Sequence, residues 1–384
     1  MENSLRNIVH MDLDSFFVSV ERLQNSSLTG KPVIIGGLSD RGVVSSCSYE
    51  ARKFGVSSAM PMKMAKRLCS DAVFIRGDME QYSKYSKMVT QIIGEKAPLF
   101  EKTSIDEFYV DITGMDKFFG CLKWTHELRT YITQQTGLPI SFGLSVNKTV
   151  SKMATNEAKP NGEKEVAPDF VKAFLFPLSI KKIPMLGNKT YTLLRSMGII
   201  TIKTLSEIPV EMLECVLGKN GIMLWKKANG IDNTPVKPYS ESKSLSTERT
   251  FQTDTIDVNM LRSVLTGMIE KIAYQLRKQG KLTACITVKI RYSNYDTHTL
   301  QKHITYTNLD HILLATAKEL FEKLYSRRLL VRLIGVRFSS LISGGHQLNL
   351  FEDTSEMINL YLAMDKIRKR YGSKSIKRAI GLNN

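Results

Sequence analysis

Thr103-Ser104-Ile105-Asp106-Glu107-Phe108-Tyr109-Val110-Asp111 is the stretch on which the fold turns. The apolar, aromatic and β-branched run over 108–112 predicts a strand, and two adjacent carboxylates stand at its start. On a regular strand successive side chains point to opposite faces, so Asp106 and Glu107 converge only in a turn. Residues 101–107 are polar enough to be the tip of a hairpin, with Leu99-Phe100 leading in and 108–112 leading out. Carboxylates beside apolar strands are costly unless paired, which invites cations; a solvated hairpin tip is the plain alternative.

The 384 residues exceed what one core organises and predict two to four domains. Hydrophobic residues at 42% and charged residues at 24% are those of an ordinary soluble globular protein. A formal net charge of +17, with a pI near 9.5, is not ordinary. The excess Lys and Arg are spread along the whole length, which suits a long polyanion lying across several domains. A membrane surface would also attract that charge. However, no apolar run is long enough to span a bilayer, and Asp12 and Asp14 interrupt any signal-like segment. The five cysteines form no CxxC pair and the six histidines no HxxxH or HExxH, so neither zinc nor a disulfide framework is expected. A reducing cytoplasm is.

Outward from the hairpin, residues 7–12 read as a short buried strand ending in an acid, and Asp14 or Ser15 is placed to cap a helix over 16–23. Val33-Ile34-Ile35-Gly36 is a second apolar strand with a hairpin partner at 43–47. Helices are predicted over 49–54, 60–68, 79–94, 123–135 and 148–158, with a strand at 140–145. That irregular alternation indicates an α+β or α/β unit over roughly the first 165 residues. Short helices follow from 168 to 235, one of them opening at Ile183-Pro184-Met185-Leu186-Gly187-Asn188-Lys189 and ending at Met197-Gly198. A polar, Pro-bearing linker comes next. In 282–292, Leu282, Ala284, Ile286, Val288 and Ile290 line one face, and Thr283, Thr287, Lys289 and Arg291 the other. A strand at 331–338 and helices at 258–279 and 311–325 complete a small α/β sandwich. The tail beyond Gly344-Gly345 is polar and charged except for Gln347-Leu348-Asn349-Leu350-Phe351.

An acid ending the first strand and a carboxylate pair on a later hairpin form a constellation with known chemistry. Magnesium takes octahedral oxygen ligands, commonly one or two carboxylates plus substrate phosphates. Two such ions about 4 Å apart activate an attacking hydroxyl and stabilise a leaving pyrophosphate. Asp12 taken alone is as readily a helix cap as a ligand.

Four segments together carry a resemblance. His10-Met11-Asp12-Leu13-Asp14-Ser15-Phe16-Phe17-Val18-Ser19-Val20-Glu21, Ser48-Tyr49-Glu50-Ala51-Arg52-Lys53-Phe54-Gly55-Val56, Ser104-Ile105-Asp106-Glu107 and Ala158-Lys159-Pro160-Asn161-Gly162 follow the order and spacing of the Y-family translesion DNA polymerases. The chain resembles the DinB branch over nearly its whole length. The resemblance implies an α+β multidomain, right-hand polymerase: palm at 1–12 and 77–167, fingers at 13–76 and a helix-hairpin-helix thumb at 168–235. A linker at 236–242, a little finger at 243–342 and a tail at 343–384 with a clamp-binding motif would follow. It implies template-directed insertion of deoxynucleotides by two-metal phosphoryl transfer, at low fidelity, without proofreading and past damaged template bases.

Position by position, the resemblance implies that Asp12, Asp106, Glu107 and the Leu13 carbonyl bind two magnesium ions. Phe17 matches the steric gate against a ribose 2′-hydroxyl, although helical periodicity by itself makes it a core residue. Ser46, Tyr49, Arg52 and Lys159 match triphosphate contacts, Arg suiting bidentate phosphate binding; taken singly, Arg52 reads as a solvated charge and Lys159 as a helix-end cation. Ser45 and Ala59 match small residues over the nascent base pair. Gly187 and Lys189 fall in the thumb hairpin, where Met185 replaces the usual first glycine, so an ordinary helix–helix turn competes with a phosphate contact. Lys289, Arg291, Arg332 and Arg337 match basic residues that track the DNA backbone, with Leu333 where a paired base is usual. Gln347, Leu348, Leu350 and Phe351 resemble the peptide that binds the bacterial sliding clamp. The implied partners are primer-template DNA, deoxynucleoside triphosphates and that clamp, with no membrane, for a cytoplasmic monomer. A nucleotidyl cyclase with a similar carboxylate site and a catalytically silent DNA-binding scaffold are the competing readings.

Overall fold

The first strand is buried on all six residues because it runs through the middle of its sheet, with a neighbour on either side. The structure is a computed structural model that describes residues 6–115, 120–238, 241–325, 329–344 and 355–372, together with 375–376 and 378–379. It divides into two compact units, Met1–Ser240 and Glu241–Asn384.

In the first unit, β1 (Ile8–Leu13) leads into α1 (Phe16–Gln24). A three-stranded sheet follows from β2 (Val33–Gly36), β3 (Val44–Cys47) and, after the short helices α2 (Tyr49–Arg52) and α3 (Met62–Leu68), β4 (Val73–Ile75). The β2–β3 hairpin matches expectation; β4, parallel to β2, was not foreseen. Then come α4 (Met79–Lys96), β5 (Leu99–Lys102), β6 (Glu107–Asp111), α5 (Cys121–Thr136), β7 (Ile140–Ser145), α6 (Lys148–Ala158) and β8 (Glu163–Glu165). The main sheet has the order β5-β6-β1-β7-β8.

Alternation along β1 divides the work between the two faces. Val9, Met11 and Leu13 join Phe108, Val110, Phe142 and the buried sides of α1, α4 and α5 in one core. Ile8, His10 and Asp12 lie on the other face, under α6, where Ser151 and Thr155 hydroxyls donate to the Ile8 and His10 carbonyls at 2.7 and 2.9 Å.

Five helices follow: α7 (Val171–Leu175), α8 (Asn188–Ser196), α9 (Ile202–Glu207), α10 (Val210–Leu217) and α11 (Lys219–Ala228). They share a core with Val150, Met153 and Ala154 of α6. Gly221 lets α10 and α11 close up, since a Cβ there would stand 2.1 Å from the Leu213 carbonyl oxygen. The chain then returns to the main sheet. Asp232 accepts from the Thr149 N–H and hydroxyl, Val236 packs with Ile8 and Tyr109, and the Lys237 N–H donates to Glu101.

The second unit is a four-stranded antiparallel sheet of order β11-β10-β12-β9, built from β9 (Ser244–Thr255), β10 (Lys281–Tyr292), β11 (Thr297–Thr307) and β12 (Val331–Ser343). Helices α12 (Val258–Lys278) and α13 (Asp310–Leu324) share its core. Of the four strands, only β10 and β12 were expected. The alternation read for β10 holds from Ile286 onward, but a register shift between Thr283 and Cys285 buries Thr283, which donates to the Ser339 carbonyl at 2.7 Å. The expected polar tail also needs correcting. It contains α14 (Ser355–Tyr371), fixed by Arg277 of α12 bonding Asp365 and by the buried Tyr361.

Candidate active site

Asp12 on β1 and Glu107 on β6 are cross-strand partners, and the adjacent His10–Tyr109 pair lies on the same face. Like charges placed opposite one another destabilise a sheet unless a cation intervenes. Here α6 supplies two. Lys152 donates to Glu107 Oε2 at 2.6 Å, and Lys159, just past the helix end, lies 2.5 Å from Asp12 Oδ1. Burial pushes the Asp12 carboxyl up to about 7; Lys159 opposes that, while Asp106 and Glu107 add to it. The Glu107 carboxyl is held well below the usual range, against its partial burial, by the Lys152 ammonium that donates to it.

Asp106 stands one residue before β6, where its carbonyl accepts from the Leu13 N–H at 3.1 Å. Its carboxylate accepts from the Ser104 hydroxyl at 2.5 Å, and Ser104 Oγ in turn accepts from the Glu107 N–H at 3.0 Å. The hairpin tip is therefore tighter than the sequence suggested: Lys102 already pairs with Phe108.

His10 lies on the same face of the sheet as Asp12 and Glu107. It is fully buried, and burial drives its imidazole down to about 4, so it is neutral. Its Nδ1 lies 2.9 Å from Thr155 Oγ1, whereas Nε2 has no hydrogen-bond partner and faces Glu107 Oε2 at 4.0 Å. Ligand atoms of His10, Asp12 and Glu107 fall within 4.8 Å of one another. Carboxylates already countered by ammonium groups, beside an orphaned buried nitrogen, fit a divalent cation.

Asp14 corrects the capping expectation. Ser15 occupies the N-cap with φ +43 and no side-chain cap bond. The Asp14 carboxylate, 2% exposed, instead accepts from the Tyr49 hydroxyl (2.9 Å), the Ser141 hydroxyl (2.7 Å) and the Asn161 N–H (2.8 Å). It thus ties β1 to α2, β7 and the loop after α6. Arg52 lies over the Tyr49 ring at 4.6 Å and reaches Ser15 Oγ at 3.4 Å, so the two residues share a face. Ser46 is half-buried on β3, while Ser45 and Ala59 are exposed. Phe17 stacks on Tyr82, with centroids 4.2 Å apart and planes 10° apart, and Tyr82 donates to Glu21.

Elsewhere in the first unit, Gly187 is the N-cap of α8 and Lys189 is exposed in its first turn. Met185 adopts φ +72 and is 88% exposed, so the hairpin keeps a left-handed residue without a glycine there. In the second unit, Lys289 pairs with Glu248 at 2.8 Å and Arg291 with Thr297. Arg332 stacks on Tyr295, and Arg337 is exposed. Gln347, Leu348, Leu350 and Phe351 lie outside the described residues. Among the described residues no helix is long and apolar enough to cross a membrane.

The impB/mucB/samB family model matches residues 11–156, and the model of that family's C-terminal domain matches 242–350. A DNA polymerase IV of Dehalococcoides mccartyi is 39% identical over 378 residues, covering 97% of each chain. One from Desulfatibacillum aliphaticivorans is 34% identical over 379 residues, covering 97% of this chain and 96% of its own. A solved Y-family DNA polymerase chimera of Dbh and Dpo4 is similar with a TM-score of 0.77 and 26% identity, over 88% of this chain and 100% of that one. The chain belongs to the impB/mucB/samB family, which is to say the Y-family DNA polymerases of translesion type. Within that class it is of the DinB kind, a DNA-directed DNA polymerase.

Proposed function

We propose that the chain extends a primer on a DNA template by joining the primer 3′-hydroxyl to the α-phosphate of a deoxynucleoside triphosphate, with release of pyrophosphate. The observation that carries this reading is the Asp12–Glu107 cross-strand pair, with Asp106 beside it and Lys152 and Lys159 countering its charge. Asp12, Asp106, Glu107 and the Leu13 carbonyl would hold two magnesium ions, which when bound neutralise the triphosphate and acidify the attacking hydroxyl. Arg52, Lys159 and Ser46 grip the triphosphate. Tyr49 acts by orienting Arg52, since its own proton is committed to Asp14. Phe17, backed by Tyr82, blocks a 2′-hydroxyl.

The small, exposed Ser45 and Ala59 leave room for distorted bases, which supports lesion bypass at low fidelity. Residues 1–12 and 77–167 serve as palm, 13–76 as fingers, 168–235 as thumb and 243–342 as little finger. Gly187 and Lys189 of the thumb, and Lys289, Arg291, Arg332 and Arg337 of the little finger, follow the DNA backbone. Gln347, Leu348, Leu350 and Phe351 bind a sliding clamp, and the enzyme works as a cytoplasmic monomer.

Primer extension with Asp106→Ala is the deciding test. Template binding should stay within about twofold of the parent while extension is abolished. Retained extension sinks the assignment. Deleting residues 347–351 should remove stimulation by clamp and spare basal extension.

A further inference from the structure

Three lysines ride on or just after α6 at helical spacing, and each faces an acid of the main sheet: Lys148 meets Glu101, Lys152 meets Glu107 and Lys159 meets Asp12. The three pairs differ in what else holds the acid. Glu101 also accepts from the Lys237 N–H, and Lys148 packs over Tyr109, so that pair is part of the framework. Glu107 belongs to the cluster with His10 and Asp12. Among the described residues, Lys152 has no second carboxylate, and its side chain is 24% exposed on a four-carbon stem.

We infer that Lys152 is an exchangeable counter-ion of Glu107, which yields the carboxylate to a divalent cation and turns its freed ammonium to a phosphate of the bound substrate. The inference rests on the polymerase reading given above and extends it to a residue that reading does not use. A dication held by Asp12 and Glu107 would stand a few ångströms from the Lys152 ammonium, and like charges at that range repel strongly in a poorly hydrated site. The flexible side chain relieves this by swinging away, whereas Glu107 is fixed on its strand. A compact ammonium seeks an anion, and phosphates of primer-template and of incoming nucleotide are the anions this face would meet. Cation and phosphate then bind cooperatively, because each removes a competitor or supplies a partner for the other. Lys152 is thus a positioning residue, with metal–phosphate linkage as its signature.

The test is equilibrium Mn2+ binding, read from the free-ion EPR signal, on the full chain and on Lys152→Gln and Lys152→Arg. Without DNA, Lys152→Gln should bind Mn2+ about 5- to 50-fold tighter than the parent, and Lys152→Arg should resemble the parent. Adding a dideoxy-terminated primer-template should tighten Mn2+ binding to the parent by roughly 5-fold or more. Lys152→Gln should cut that gain below about 2-fold if a DNA phosphate receives the ammonium. If the triphosphate receives it, the gain persists and nucleotide affinity of the ternary complex falls about 10-fold instead. Weaker Mn2+ binding by Lys152→Gln, or a parental DNA-linked gain together with parental nucleotide affinity, overturns the inference. Should Lys152→Gln misfold, the parent decides: Mn2+ binding that is tightened neither by primer-template nor by primer-template with the matching deoxynucleoside triphosphate overturns the inference. Should the parent extend primers while the linkage is absent, only the role of Lys152 is lost.

Discussion

Asp12 and Glu107 face each other directly across the β1–β6 ladder, two acids where a sheet ordinarily places an apolar or oppositely charged pair. Burial, with smaller contributions from Asp106 and Glu107 and against Lys159, pushes the Asp12 carboxyl up to about 7. In the unfolded chain that group ionises near 3.8. Between those values the folded state binds the extra proton, so its stability falls as pH rises from about 4 to about 7. Asp12→Asn should therefore exceed the parent in stability at pH 8 in chelator by about 1–3 kcal/mol, with the difference vanishing below pH 4. Extension should drop at least about a thousandfold. Urea unfolding across pH 4–8 checks this; an Asn variant less stable than the parent at pH 8 contradicts it.

Phe17 leans on Tyr82 as a stacked pair, so its ring is held by packing and not by chance rotamer choice. Phe17→Ala should raise the ribonucleotide-to-deoxynucleotide ratio of kcat/KM by tenfold or more and cost about 1–3 kcal/mol of stability. Phe17→Leu should fall between. Unchanged sugar selectivity in the Ala variant would mean the ring is only a core residue.

Much of this was legible because the relevant signals were apolar. β1, β7 and the buried faces of α4, α5 and α12 announced themselves by run or by period. What escaped notice was polar. β9 and β11 are the two edges of their sheet, and edge strands such as Ser244–Thr255 carry charges in place of an apolar alternation. β8 is Glu163-Lys164-Glu165, a strand without one apolar residue. The buried side of α14 includes Asp365 and Arg368 beside Tyr361, which hydropathy counts as solvent-facing. For the candidate site, motif order pointed to the carboxylates and Phe17. His10, Asp14 and Lys152 were not, since their roles come from partners far along the chain: Thr155, Asn161 and Glu107.

Asp232 joins the segment after α11 to the start of α6, taking the Thr149 N–H at 3.1 Å and hydroxyl at 2.8 Å and the Thr234 N–H at 3.0 Å. Burial raises its carboxyl, but those hydrogen bonds outweigh burial and hold it below the ordinary value. A depressed carboxyl contributes stability that is fully present above the unfolded pKa of about 3.8 and lost as pH falls through the folded one. Asp232→Ala should cost roughly 1–3 kcal/mol at pH 7 and make the acid limb of the stability profile shallower. Equilibrium unfolding from pH 3 to 7 reads both effects. A variant that keeps the parental acid limb would show that Asp232 carries no linkage.

Arg277 is the pin of the second unit. Its guanidinium donates to Asp310, which is wholly buried, at 2.5 Å, to Asp365 on α14 at 2.6 and 3.1 Å, and to the Asn308 carbonyl at 2.8 Å. Removing one member of such a cluster strands the rest: Arg277→Leu leaves Asp310 charged and unpaired in the interior, which costs about 3–5 kcal/mol. Because α14 reaches α12 through Asp365, the loss should appear locally first, as faster hydrogen exchange in α12 and α14 with the main sheet of the first unit unaffected. Replacing all three groups with apolar ones, Arg277→Leu with Asp310→Leu and Asp365→Leu, removes the buried charges altogether and should recover most of the stability. If the triple variant is no more stable than Arg277→Leu alone, the cost lies in the lost hydrogen bond to the Asn308 carbonyl and not in stranded charge.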